Sequence, residues 1–186
     1  MNDDAALIDQ TLAGQTAAFG HLVERYQDRL YNTVLHAAGN AEDAKDVVQE
    51  AFVQAFLKLD TFQHASAFYT WLYRIAFNVA ATHRRRRHAT FSIDRGQAGD
   101  GREPVDVHEG PTARLDRDER CRQVRQAIGE LSDEHRAILV LREIEGFTYE
   151  TIAEILDLPV GTVRSRLHRA RLQLRGELKE LLIIED

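Results

Sequence analysis

The chain has 186 residues and a formal net charge of −6, a length that allows one domain or two small ones, each near the lower size at which a core sustains itself. Its single cysteine, Cys121, excludes an intrachain disulfide and fits a reducing compartment. No basic-then-apolar leader opens the sequence and no apolar run reaches a membrane span, so the reading is a cytoplasmic protein.

Helix formers dominate and β-branched alternation is nearly absent, which gives an all-α expectation. Residues 4–13 read as a short helix stopped near Gly14. Phe19, Leu22, Val23, Tyr26, Leu30 and Val34 then recur at helical spacing until Gly39-Asn40 ends the run. A third helix is expected over 42–59, with Val47, Val48, Ala51, Phe52, Ala55, Phe56 and Leu59 as its apolar stripe. Its other face carries Asp43, Asp46, Gln49, Glu50 and Gln54. Ser66 is read as the N-cap of a fourth helix running to about Arg87. That helix should bury Phe68, Leu72, Ile75, Ala76 and Val79 and expose Tyr69, Tyr73, Arg74 and Asn78.

Composition changes at 91–113, where Gly96, Gly99, Gly101, Gly110, Pro104 and Pro111 fall without any apolar period. This segment reads as a flexible linker and a domain boundary. Helix resumes over Ala113–Gly129, and Ser132-Asp133 opens another carrying Ile138, Leu139, Leu141 and Ile144 up to Gly146. Thr148 caps a short helix, Tyr149–Leu156; Asp157-Leu158-Pro159 breaks it; the last helix runs from Val160 to about Leu182.

Two helices joined by so short a turn describe a helix-turn-helix. Ile152, Ala153 and Leu156 would face Val163 and Leu167, and the second helix carries arginines 164, 166, 169, 171 and 175 with no acid until Glu177. Arginine supplies donors for guanine edges and for phosphate. Five such side chains around one helix cannot all reach bases, so some must hold backbone and set register. Total charge does not oppose this reading, because acid gathers in 42–60 and 100–119 while arginine gathers in 84–87 and 164–175, and the local field attracts phosphate. The competing reading is a basic, solvated helix on a bundle.

The run Glu145-Gly146-Phe147-Thr148-Tyr149-Glu150-Thr151-Ile152-Ala153-Glu154-Ile155-Leu156, followed by Pro159-Val160-Gly161-Thr162-Val163-Arg164-Ser165-Arg166-Leu167-His168-Arg169-Ala170-Arg171, resembles the C-terminal promoter-binding domain of extracytoplasmic-function (ECF) sigma factors of the sigma-70 family. Asp46-Val47-Val48-Gln49-Glu50-Ala51-Phe52 resembles the family's polymerase-binding helix, and Thr70-Trp71-Leu72-Tyr73-Arg74-Ile75-Ala76-Phe77-Asn78 its minus-ten-reading helix. The resemblance implies a first domain over 1–90, a linker over 91–113 and a helix-turn-helix domain over 114–186. It implies a factor that binds core RNA polymerase, through the β′ coiled coil and the β flap, and directs initiation at particular promoters. An anti-sigma protein is an implied partner.

Carried over residue by residue, the resemblance assigns Asp46, Gln49 and Glu50 to polymerase binding. Their spacing independently places them on one exposed stripe, which is also what an ordinary solvated acidic face looks like. His64, Ser66, Tyr73, Arg74, Asn78, Arg84 and Arg85 are assigned to the minus-ten element, where melting exposes bases for capture and stacking. The loop departs from the family's Phe-Arg-Gly-Asp-like pattern, reading Phe62-Gln63-His64-Ala65-Ser66. Trp71 is either a stacker or, beside Leu72 and Ile75, a core residue. Arg84 to Arg87 either hold phosphate or form a solvated helix end that suits the dipole. Thr162, Arg164, Ser165, His168, Arg169 and Arg171 are assigned to the minus-thirty-five duplex. His168 stands where the family often has an aromatic and adds a titratable group.

No enzymatic chemistry emerges. Ser132, Asp133 and His135 are triad residue types, but near-adjacent positions at a helix start cannot form the relay. Cys121 and the scattered histidines lack zinc spacing, and no phosphate loop or metal cluster is seen, so no cofactor, metal or small-molecule substrate is expected. The alternative function is a stand-alone helix-turn-helix regulator acting on duplex DNA without polymerase; residues 42–90 argue against it, since a repressor needs a ligand or dimerisation domain there. A recombinase would need a nucleophile in a separate catalytic domain, and none is found. The apolar end Leu181-Leu182-Ile183-Ile184 packs on the last domain or meets a partner.

Overall fold

The computed structural model describes residues 3–38, 40–93, 123–124 and 126–183. Among them every regular element is helical, as the composition required. The N-terminal group is α1 (Asp3–Leu12), α2 (Ala17–Ala38), α3 (Ala41–Leu57) and α4 (Phe68–Ile93), with a 3₁₀ turn at Leu59–Thr61. Residues 126–130 are helical and lead to α5 (Asp133–Leu139), which widens into a π turn, Val140–Ile144. Then come α6 (Tyr149–Leu156) and α7 (Val160–Ile183). The expected linker, Cys121 and the first part of the helix expected from Ala113 lie outside the described residues, as do the side chains of Arg87 and of the apolar end from Leu181.

Local chemistry explains most boundaries. Gly14 turns the chain after α1 at φ +96°, a left-handed conformation that glycine adopts without strain. Asn40 has a second role beyond ending α2: its side chain accepts the Asp43 N–H at 2.8 Å and caps α3. Ser132 and Thr148 cap as expected, accepting from the N–H groups of His135 at 3.4 Å and Thr151 at 3.1 Å. Ser66 does not cap. Helix α4 starts at Phe68, and the N–H groups of Thr70 and Trp71 go to the Ala67 carbonyl at 3.0 and 3.3 Å. The π turn corrects the expectation of one regular helix up to Gly146. Its extra residue per turn shifts the helical phase and swings Ile144 outward from the buried face.

The N-terminal core forms where the apolar stripes of α2, α3 and α4 meet: Leu22, Leu30, Val34, Val47, Ala51, Phe68, Leu72 and Ala76 are all buried. Trp71 lies half-buried against Phe62 and Phe68, ring centroids 5.2 and 5.9 Å away, which favours the core reading. Helix α1 is pinned by Asp4, a buried carboxylate that accepts from Arg25 at 2.5 Å and from the Tyr26 hydroxyl at 2.6 Å. In the C-terminal group Ile138, Leu141, Ile152, Ile155, Val163 and Leu167 are buried together. Ile155 was not among the expected core residues.

The two groups touch. Helix α6 packs on α4, and α5 with its π turn packs on α2. Arg136, buried on α5, donates to the carbonyls of Ile128 at 3.1 Å, Gly129 at 2.6 Å and Leu131 at 2.9 Å, and reaches the Ala37 carbonyl in the last turn of α2 at 3.5 Å. Arg84 on α4 pairs with Asp133 at 3.1 Å.

Candidate nucleic-acid interface

Helix α6 ends on Asp157, whose backbone is left-handed (φ 53°) and whose N–H returns to the Ala153 carbonyl. The Leu158 N–H reaches the same carbonyl at 3.0 Å. The Pro159 carbonyl then accepts from Thr162 and Val163 at 2.9 and 3.1 Å and starts α7. Buried Ile152 and Ile155 meet Val163 and Leu167 across this turn, which sets the pose of α7.

That pose divides the arginines. Arg166 pairs with Glu134 at 3.1 Å, and Arg171 is gripped by Glu143 at 2.6 Å, a bond that raises its pKa further. These two pairs tie α7 to its own domain; Arg171 stays exposed while it carries its pair. Arg164, Ser165, His168 and Arg169 face outward and exposed; Thr162 is half-buried. Ser165 donates to the Thr162 carbonyl at 3.0 Å, and the Arg164 guanidinium lies 5.8 Å from the Tyr149 ring centroid.

On α4, Arg74 and Asn78 are exposed one turn apart on one face. Arg85 is exposed beyond them and donates to the Thr82 hydroxyl at 3.3 Å. Arg84 is drawn aside by Asp133. Tyr73 corrects the expectation of an exposed residue: it is 1% exposed, and its hydroxyl lies 3.1 Å from that of Thr33. Tyr69 is half-buried beside it. Burial first, and the nearby Glu145 carboxylate second, push the Tyr73 phenol up to about 12. A folded pKa above the unfolded value of about 10 stabilises the fold below pH 10, and the gain is lost as pH rises toward 12. Stability should therefore fall by about 1.4 kcal/mol per pH unit across that window, measurable by urea titration; replacement by phenylalanine should flatten the slope, and an unchanged slope would contradict the assignment.

His64 is exposed and left-handed at φ 54°, with its ring 4.7 Å from that of Phe62. Glycine adopts this left-handed backbone without strain, and histidine does not. Relief of about 1–2 kcal/mol of left-handed strain, less about 0.4–1 kcal/mol for the looser unfolded chain, means that His64→Gly should raise the melting temperature slightly. A lower melting temperature would show that the Phe62 contact outweighs the strain.

On α3, Asp46 and Gln49 are exposed and Glu50 is partly so. Glu50 is engaged: His83 lies 2.7 Å from one carboxylate oxygen and Gln54 donates to the other at 2.9 Å, and the His83 bond chiefly holds its pKa low. The same stripe continues into exposed apolar side chains, Val53 at 52% and Leu57 at 71%, with Phe56 beside them at 40%. Phe56 was expected in the core; it lies instead at the rim, edge-on to Phe19 at 5.2 Å. Val53 and Leu57 were missed, although their phase, one turn apart and off the Val47-Ala51-Ala55 row, was visible in the sequence.

Comparison with known proteins bears on what these faces serve. Residues 22–90 match the family described as Sigma-70 region 2, and residues 121–174 match Sigma-70, region 4. RNA polymerase sigma-H factor of Pseudomonas aeruginosa is 39% identical, over 96% of this chain and 95% of its own. ECF RNA polymerase sigma factor SigW of Bacillus subtilis is 35% identical, over 94% and 96%. The solved sigma factor RpoE of Bartonella quintana, in complex with the anti-sigma factor NepR, superposes with a TM-score of 0.72 at 27% identity, over 87% of this chain and 96% of that one. CnrH in complex with the cytosolic domain of CnrY gives 0.67 at 29% identity, over 96% and 99%. A region 2 match over the N-terminal helices decides against a stand-alone helix-turn-helix regulator. The chain belongs to the sigma-70 family, among the ECF RNA polymerase sigma factors.

Proposed function

We propose that this sigma factor docks on core RNA polymerase with the exposed stripe of α3 and reads its promoters with α4 and α7. The observation that carries the proposal is the contrast between two exposed faces: an acidic and apolar stripe (Asp46, Gln49, Val53, Leu57) on one helix and a basic face (Arg164, His168, Arg169) on another. The acidic stripe suits a protein partner and repels DNA; the basic face suits phosphate and guanine edges.

In detail, residues 1–90 form the polymerase-binding and minus-ten domain, 91–113 the linker and 114–186 the minus-thirty-five domain. Asp46, Gln49 and Glu50 contact the β′ coiled coil, with Val53 and Leu57 as an apolar anchor beside them, and the C-terminal domain meets the β flap. Arg74, Asn78 and Arg85, with the loop at His64 and Ser66, take the minus-ten element. Arg164, Ser165, His168 and Arg169 take the minus-thirty-five duplex. The protein redirects polymerase and catalyses nothing itself, without cofactor, metal or small-molecule substrate. It works in the cytoplasm, where an anti-sigma protein restrains it. No helix among the described residues is long and apolar enough to cross a membrane.

Equilibrium binding of the labelled chain to core polymerase tests the docking face. Burying an exposed leucine stabilises an interface by about 1.5–3 kcal/mol, so Leu57→Ser should weaken binding by roughly 10–100-fold, at about 1.4 kcal/mol per tenfold. Arg169→Ala should leave core binding unchanged. Equal binding by wild type and the Leu57 variant would remove α3 from the interface.

A further inference from the structure

We propose that Glu145-Gly146-Phe147 is an intramolecular latch, seated in a site on α2 and α4 that accepts a carboxylate and an aromatic ring and that holds the free chain closed.

The segment is built at home and spent abroad. Its backbone belongs to the C-terminal domain: the Glu145 N–H goes to the Val140 carbonyl at 3.2 Å, the Phe147 N–H to the Leu141 carbonyl at 3.1 Å, and Arg142 donates to the Phe147 carbonyl at 2.6 Å. Gly146, at φ +71°, turns the chain between them with open space around it, so its role is conformational. Both side chains cross to the N-terminal domain. The Glu145 side chain is 6% exposed; one oxygen accepts from Arg29 Nε at 2.8 Å and the other from the Thr33 hydroxyl. Phe147 lies face to face with Tyr69 at 5.6 Å and 12°, and edge-on to Tyr73 at 5.3 Å and 81°. The Arg29 guanidinium lies 5.9 Å from its ring centroid.

The site is also made to be vacated. A hydroxyl has one hydrogen to give. In the closed form Tyr73 donates to Thr33, and Thr33 donates to Glu145. When Glu145 leaves, Thr33 turns to the carbonyl of Arg29 one helical turn back, already 2.9 Å away. Arg29 is half-exposed and rehydrates without strain. Opening therefore orphans no buried polar group at this site, as a reversible contact requires.

The consequence for initiation rests on the sigma reading. By the positions that name them, the minus-ten and minus-thirty-five elements lie more than two helical turns apart, at roughly 34 Å per turn of B-form DNA. Here α6 packs directly on α4. A closed molecule cannot hold both elements, so the latch must release before both domains engage one promoter. A first partner that binds only the open form must overcome the closed population.

Inter-domain distance in the full-length free chain tests this without polymerase. With Cys121→Ser in place, spin labels at Gln10→Cys and Leu172→Cys report the separation by pulsed electron paramagnetic resonance. The expected result is one short, narrow distribution, with the closed population falling at least tenfold in Glu145→Ala/Phe147→Ala. Tyr69→Ala with Thr33→Val should open the chain from the receiving side, with the C-terminal domain untouched. A wild-type distribution already long and broad would overturn the latch. So would unchanged distances in both variants with helical circular dichroism intact. An unlatched chain that opens but never binds core polymerase would sink the sigma reading and leave the latch standing.

Discussion

Arg136→Met should destabilise the C-terminal domain by about 3–5 kcal/mol, the range for removing one member of a buried charged network. The guanidinium collects three carbonyls from the end of the preceding helical stretch, those of Ile128, Gly129 and Leu131, in a place where water does not reach. Methionine keeps most of the volume and none of the donors; the Ile128 carbonyl keeps the Leu131 N–H at 3.3 Å, and any buried carbonyl left without a donor costs about 1–3 kcal/mol. The fourth bond, to the Ala37 carbonyl, places a positive charge at the C-terminal end of α2, where the helix dipole favours it. Loss of Arg136 should therefore also loosen the contact between the domains. Urea titration followed by circular dichroism reads the stability; a midpoint within error of wild type would mean that those carbonyls have other donors.

Arg164→Ala should relax discrimination at one minus-thirty-five base pair by about 1–3 kcal/mol, the value of a bidentate arginine–guanine contact. Arg164 is exposed in the second turn of α7, near the end a recognition helix presents to base edges. Arg169 lies more than a turn further along, and its replacement should weaken all sequences alike and lower the salt slope by about one unit. Arg166→Ala should act differently again, by breaking the pair with Glu134 and loosening the pose of α7. Holoenzyme binding to a randomised minus-thirty-five library separates the three; equal loss across all sequences for Arg164→Ala would make it a phosphate contact.

Much of this was legible in residue pattern alone. The helices of the first half, the caps at Ser132 and Thr148 and the break at Asp157-Leu158-Pro159 follow from periodicity and local hydrogen-bond chemistry. What escaped depended on the tertiary meeting of distant segments. Tyr73 looks exposed on a helical wheel of α4, because the group that covers it, Phe147, is contributed by the other domain. The ion pairs of Arg84 with Asp133 and of Arg171 with Glu143 escaped because those acids are far away in sequence. The π turn left no compositional trace. The left-handed backbone of His64 escaped as well, because histidine at that position carries no sign of it.

The most direct test is initiation by sigma-free core polymerase, with and without the purified chain, on a library of duplex promoters. Wild-type protein should yield transcripts from promoters sharing two spaced elements. Asp46→Ala/Gln49→Ala/Glu50→Ala should abolish them by loss of core binding, while Arg164→Ala changes which minus-thirty-five sequences are chosen. No initiation above core alone, from a chain that nonetheless binds duplex DNA specifically by itself, would contradict the assignment of both faces.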